Sequence, residues 1–103
     1  MKTFCDSFGV TQDSFTRLTG FSPRAVAHWV GGQTPGNSAQ QRFTELTRLF
    51  DALAEMVDAK AIGDWLKQPN PAFDGSTPLQ VIERGETDRI WRMIWELQTG
   101  NTG

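Results

Sequence analysis

The chain has 103 residues, ten basic against twelve acidic side chains, and a net charge of −2. That length gives room for one domain, or for two small helical lobes sharing a core. One cysteine, Cys5, and one histidine, His28, exclude a disulfide framework and a zinc set, so neither metal nor cofactor is expected. No apolar run approaches a membrane span, and Met1-Lys2-Thr3-Phe4-Cys5-Asp6 lacks a signal-peptide core, so a soluble cytoplasmic protein is the expectation.

The charge is unevenly spread. Before Asp51, five bases (Lys2, Arg17, Arg24, Arg42, Arg48) face three acids, whereas the remainder carries nine acids against five bases. A mildly basic front half is compatible with a nucleic-acid partner.

In chain order, Thr3 to Phe8 supplies one or two helical turns, with Phe4 and Phe8 packing at i and i+4 and Cys5 as a small buried residue. Thr11 is a good N-cap for a second short helix, whose Phe15 and Leu18 face inward and which Gly20 closes. Ser22 then caps a third, with Pro23 at its first position and Val26, Trp29 and Val30 as the buried stripe. Two helices joined by a three-residue turn are what helix-turn-helix geometry requires.

Residues 32–37 read as a loop. Ser38, with Gln41 completing a capping box, starts a long helix over about 38–57 whose Phe43, Leu46, Leu49, Phe50, Leu53, Met56 and Val57 form one apolar face. This helix reads as a spine joining a front lobe (residues 1–50) to a rear lobe (residues 51–103). A helix over 59–67 follows, with Ile62, Trp65 and Leu66 inward. Pro69 and Pro71 stop it, because the residue before each proline is pushed to extended geometry, and the chain turns at Asp74-Gly75. Thr77-Pro78 with Gln80 opens a short helix, Gly85 closes it, and a final helix runs over 86–98. That last helix places Ile90, Ile94 and Leu97 on one side and adds Trp91, Met93 and Trp95. With its two tryptophans read as lying on different faces, it is more apolar than one core needs.

The rear lobe's Trp65-Leu66, Pro69-Asn70-Pro71-Ala72, Gly75, Thr77-Pro78-Leu79 and Gly85-Glu86 together resemble the toxin-binding domain of Xre/MbcA/ParS-type antitoxins. The front lobe, with Gln12, Gly20-Phe21-Ser22, Trp29 and Gly31 or Gly32, resembles the helix-turn-helix of Xre and phage-repressor proteins. The resemblance implies an all-α fold, a repressor-like lobe joined by the long helix to a small helical toxin-binding lobe. It also implies a homodimer that binds and neutralises a RES-domain toxin, which acts on nicotinamide dinucleotide, and that represses its own operon on palindromic double-stranded DNA.

By that resemblance the third helix lies in the major groove. Pro23, Arg24, Ala25 and His28 face outward, Arg24 is the best candidate for bidentate base contact, and Thr11, Gln12 and Ser22 hold phosphates. Pro23 and Ala25 offer no donor, so base readout is sparse. The toxin or dimer interface falls on Trp65, Pro69, Asn70, Pro71, Arg84, Glu86, Arg89, Trp91 and Trp95. In the resembled family the extreme C-terminus enters the toxin's cleft, and the short tail Gln98-Thr99-Gly100-Asn101-Thr102-Gly103 departs from that pattern. No phosphate loop and no nucleophile with a base partner is present, and Glu83, Glu86 and Asp88 beside Arg84 and Arg89 read as caps and surface pairs, so an enzyme is not expected. A stand-alone DNA-binding regulator whose rear lobe only dimerises is the alternative.

Overall fold

A computed structural model describes residues 2–99, which form seven α-helices, two 3-10 turns and no strand. Among these residues no helix is long and apolar enough to cross a membrane. The tail beyond Thr99, and with it any cleft-entering segment, lies outside the described residues.

α1 (Lys2–Phe8), α2 (Gln12–Thr19) and α3 (Pro23–Val30) follow the expected punctuation. Thr11 Oγ1 accepts from the Ser14 amide at 3.1 Å, and Ser22 Oγ from the Ala25 amide at 3.1 Å. Each satisfies one of the orphan donors at a helix start. Between the two helices Gly20 takes φ 74°, where a side chain would be strained, and its amide closes α2 on the Thr16 carbonyl. Phe15, Leu18 and Val26 are wholly buried, whereas Trp29 and Val30, expected in the same stripe, are half-buried, with Trp29 edge-on to Phe21. Phe4 meets the rings of Phe8, Phe15, Phe43 and Phe50 at centroid distances of 4.8–5.5 Å. Cys5 is half-buried rather than buried, and that desolvation pushes its thiol pKa up.

α4 (Asn37–Leu53) corrects the sequence reading at both ends. Its N-cap is Gly36, not Ser38, and no Ser38–Gln41 capping box forms; instead the Gln40 side-chain amide donates to the Pro35 carbonyl at 2.8 Å. At the other end the helix stops four residues short of Val57. The amides of Glu55 and Met56 tighten onto the Ala52 and Leu53 carbonyls, and Asp58 leaves helical geometry at φ −51°, ψ 128°. Tertiary packing overrides helix propensity here. The chain has to reverse for Ile62 and Leu66 to enter the core, where both are fully buried, and Met56 and Val57 fold back to pack against that core.

The expected helix over 59–67 is a 3-10 turn, Ala59–Ala61, running into a single turn of α5 (Ile62–Trp65). Gly63 explains the tight junction. A Cβ at this position would lie 1.8 Å from the Gly9 carbonyl oxygen, so the two glycines let the end of α1 and the start of α5 touch through bare backbone.

After Pro69 a second 3-10 turn, Pro71–Phe73, leads to Asp74 (φ 57°) and Gly75 (φ 87°). The loop is sealed from within: the Asn70 amide donates to the Ser76 carbonyl at 3.0 Å, the Asn70 carbonyl accepts from Phe73 and Gly75, and Asn70 Oδ1 accepts from Ala72. α6 (Pro78–Glu83) starts with the predicted capping box, Gln80 amide to Thr77 Oγ1 at 3.1 Å and Thr77 amide to Gln80 Oε1 at 2.9 Å. α7 (Thr87–Gln98) begins one residue later than expected, Glu86 serving as N-cap.

One contiguous buried cluster runs from Phe4 through α2 and α4 to Ile90 and Ile94. α2 lies at its centre, packed on α3, α4 and α6, while α7 packs on α6 and α4. Two polar ties reinforce that arrangement. Arg17 on α2 grips Glu83 on α6 with two bonds, at 2.9 and 2.6 Å, and Arg42 on α4 donates to the Leu18 carbonyl at 3.0 Å. Glu83 is thus paired across the fold rather than with its neighbour Arg84.

Candidate functional site

Two surfaces emerge from this scaffold. The first is the outer side of α2 and α3. Thr11, Gln12, Ser22, Pro23 and Arg24 are exposed on or next to the two helix starts, His28 is exposed in the last turn of α3, and Ala25 is half-buried rather than outward-facing. The Thr11 and Ser22 oxygens accept cap bonds, while the Gln12 carbonyl accepts from Thr16 Oγ1, leaving the Gln12 side chain at the head of α2. Among the described residues Arg24 and His28 form no ion pair, and no large apolar side chain of this face is exposed. The arrangement presents exposed amides and a cation, which is chemistry suited to phosphate and base edges.

The second surface flanks α7. The exposed large hydrophobic residues among those described are Trp91 (41%), Trp95 (61%) and Leu97 (48%), all on this helix. Leu97 therefore does not join Ile90 and Ile94 in the core. Trp91 and Trp95, expected on different faces, are four residues apart and share one side, because i and i+4 stack on a helix. Met93 and Leu97 each stand two residues from a tryptophan, roughly 200° around the axis, and so take the opposite side.

The grooves follow that division. On one side an open groove of about 550 Å³ runs between α7 and the proline turn, lined by Met56, Val57, Trp65, Ala72, Met93 and Leu97, with Asn70 and Glu96 as its polar members. On the other a smaller cavity, about 270 Å³, lies between α4 and α7, with Leu46, Leu49, Thr87 and Trp91 as walls and Arg42, Glu45 and Arg48 around it.

Several residues assigned to an interface from the sequence are instead committed to holding the turn. Arg84 reaches Glu86 at 3.2 Å and Ser76 at 3.2 Å; Arg89 reaches Glu86 at 3.1 Å and Asp74 at 3.4 Å, with its guanidinium 5.7 Å over the Phe73 ring. Hydrogen bonding from Arg89, seconded by Arg84, holds the Glu86 carboxyl below its usual range. The network fixes the proline turn against α7. Pro69 and Pro71 are exposed, and Trp65 is half-buried in the groove wall. Sequence reasoning missed Met56, Val57, Ala72 and Leu97 as groove residues. The signal available was the pair Met93 and Leu97, four apart on the side of α7 away from the tryptophans.

Residues 38–98 match the model for the antitoxin Xre/MbcA/ParS C-terminal toxin-binding domain. Over 96 residues the chain is 30% identical to the mycobacterial cidal antitoxin MbcA of Mycobacterium tuberculosis and of Mycobacterium bovis, an alignment covering 92% of this chain and 85% of the relative. A probable mycobacterial cidal antitoxin of M. tuberculosis is 27% identical over 86 residues, 81% of this chain and 71% of its own length. The fold is similar to a chain in the crystal structure of the M. tuberculosis MbcT–MbcA toxin–antitoxin complex, with a TM-score of 0.75 at 29% identity over 95% of this chain and 89% of that one. The all-α architecture expected from the sequence is thus shared with the matched chain of that complex. With the family model covering more than half its length, the chain belongs to the Xre/MbcA/ParS family of antitoxins.

Proposed function

We propose that this protein binds and neutralises a cognate RES-domain toxin in the cytoplasm, and that as a dimer on an operator palindrome it represses its own operon. The observation that carries the reading is the apolar groove between α7 and the proline turn, inside the matched toxin-binding domain. A soluble chain that leaves Leu97 exposed beside Met93, Trp65, Met56 and Val57 presents a surface suited to another polypeptide. Neutralisation needs no chemistry from this chain. A rigid apolar platform that covers the toxin's cleft excludes substrate by occupancy alone, and the closed 70–76 loop keeps that platform in one shape before binding, which lowers the ordering cost.

The DNA half of the reading rests on α2 and α3. Their caps, their three-residue turn and the exposed Arg24 on the second helix support major-groove docking with phosphate contacts from the helix starts. With few donors on α3, affinity depends on two copies binding adjacent half-sites.

A toxin-sized reading frame beside this one favours the antitoxin and its absence the stand-alone regulator, and co-expression with that neighbour tests the first half. Growth rescue and a co-purifying complex are expected, and toxicity unrelieved by this chain would overturn it. For the second, Arg24→Ala at fixed salt lowers affinity for the upstream palindrome more than for random duplex. Equal loss on both would reduce Arg24 to a phosphate contact, and no binding of either duplex by the wild type would remove the DNA role.

A further inference from the structure

The chain has three methionines. Met1 lies outside the described residues, and the other two, Met56 and Met93, both line the groove between α7 and the proline turn. We infer that this groove is a redox-controlled surface: a peroxide oxidises Met56 and Met93 to sulfoxides, which prevents toxin capture, and their reduction restores it. This rests on the toxin reading above and assigns a means of regulation to that site.

The two thioethers arrive from different elements. Met93 stands midway along α7, and Met56 follows the end of α4, where the tightened backbone folds it back onto the core. Each is half-buried, packed on the core by part of its surface while the rest lines an open groove. A peroxide therefore reaches both without unfolding the chain. The chain's one thiol, Cys5, lies on α1 outside this groove, and burial raises its pKa, which keeps it protonated and slow to react.

The step is a two-electron oxidation of sulfur. A sulfur lone pair attacks one oxygen of hydrogen peroxide, and the S–O bond forms as the O–O bond breaks. The departing hydroxide takes the proton of the transferred hydroxyl, leaving water and a sulfoxide. A flexible apolar side chain has become a polar one, a change that disrupts methionine-rich contacts. Held against an apolar partner, the new oxygens must give up water, and a buried acceptor without a partner is costly. A bound toxin covers both thioethers, so the free chain is the form that reacts, and oxidation blocks recapture.

Peptide mapping combined with toxin binding tests this, with hydrogen peroxide as oxidant and the product of the neighbouring reading frame as toxin. Free wild type is expected to gain one oxygen at each of Met56 and Met93, to stay folded by circular dichroism, and to lose toxin affinity at least roughly tenfold. The two methionine sulfoxide reductases, one for each epimer, are expected to restore it, an arm that needs no variant. Met56→Leu/Met93→Leu, compared with its own untreated sample, is expected to show no response to peroxide. Full oxidation of both methionines with affinity retained, or no oxidation of either in the folded chain, overturns the inference and leaves the antitoxin reading standing. A loss that persists in the double variant, or that comes with unfolding of the wild type, also overturns it and places the damage elsewhere. An untreated wild type that captures no toxin overturns the antitoxin reading itself, and this inference with it.

Discussion

The α2–α3 pair and the segment from Trp65 to the end of α7 are both made of short capped helices, yet they turn opposite chemistries outward. On α2 and α3 the large apolar side chains go inward or pack at the edge, as Phe21 does on Trp29, and apart from Pro23 and Ala27 the exposed residues of the two helices are polar or charged, Arg24 and His28 among them. In the rear segment the charged side chains Arg84, Glu86 and Arg89 are spent on one another and on the proline turn, and α7 exposes Trp91, Trp95 and Leu97 among the polar Asp88, Arg92, Glu96 and Gln98. A polar, cationic face gains from releasing counterions and weakens as salt rises. An apolar face gains from expelling water and is far less salt-sensitive. One small core therefore supports two surfaces that respond to different conditions.

The change that breaks both regions at once is Gly63→Ala. The added methyl would meet the Gly9 carbonyl oxygen at 1.8 Å and the Gly9 carbonyl carbon at 2.5 Å, backbone atoms that cannot rotate away. A destabilisation of about 3 kcal/mol or more is expected, read as a lower denaturant midpoint for the whole chain. A midpoint unchanged from wild type would show that α1 and α5 are not held in contact.

Leu97→Asp separates the two regions. It places a charge in the proline-turn groove without touching the core, so toxin affinity is expected to fall by about 2 kcal/mol or more while affinity for DNA stays at the wild-type level. Equal losses for both partners would mean that the surfaces are not independent. A smaller effect is expected from Thr77→Ala, which removes the capping box at the head of α6. The cost is about 1 kcal/mol, and hydrogen exchange should quicken in α6 before it does so in α3.

The smallest effect concerns the tie between the regions. Hydrogen bonding from Arg17 holds the Glu83 carboxyl below its usual range. The folded state thus releases this proton more readily than the unfolded chain. The resulting stability is present above about pH 4.3, the unfolded value, and is lost as pH falls through the lower folded value. With side chains 44% and 34% exposed, solvent screening keeps the contribution below about 1 kcal/mol. Glu83→Gln should flatten the acid limb of the stability curve and leave stability at neutral pH only slightly reduced; an unaltered acid limb would remove the pair from the account.

What was legible in the sequence was local. Thr11, Gly20, Ser22, Thr77 and Gly85 announce helix ends through chemistry that acts within four residues, and the structure has helices stopping and starting at those positions. What was not legible depends on partners far along the chain. Glu83 sits beside Arg84 in sequence yet pairs with Arg17, 66 residues away. The apolar stripe of α4 continues in sequence to Val57, but the helix breaks at Leu53 because the core needs Ile62 and Leu66. Leu97 has the spacing of a core residue and lies beyond the last turn that the core covers. The contact of Gly9 with Gly63 left one trace, a glycine inside an otherwise helical pattern, which marks a close backbone approach. For the second surface, residue type was informative and facing was not, since Trp91 and Trp95 share one side of α7 and the groove on its other side was missed.

The central claim is that the rear segment, not the helix-turn-helix, meets the toxin. Hydrogen–deuterium exchange on this protein alone and in complex with its toxin tests it most directly. Slowed exchange across residues 65–73 and 93–98, with residues 12–30 unchanged, is the predicted result. Protection confined to residues 12–30, with the proline turn and α7 exchanging as in the isolated protein, would contradict it.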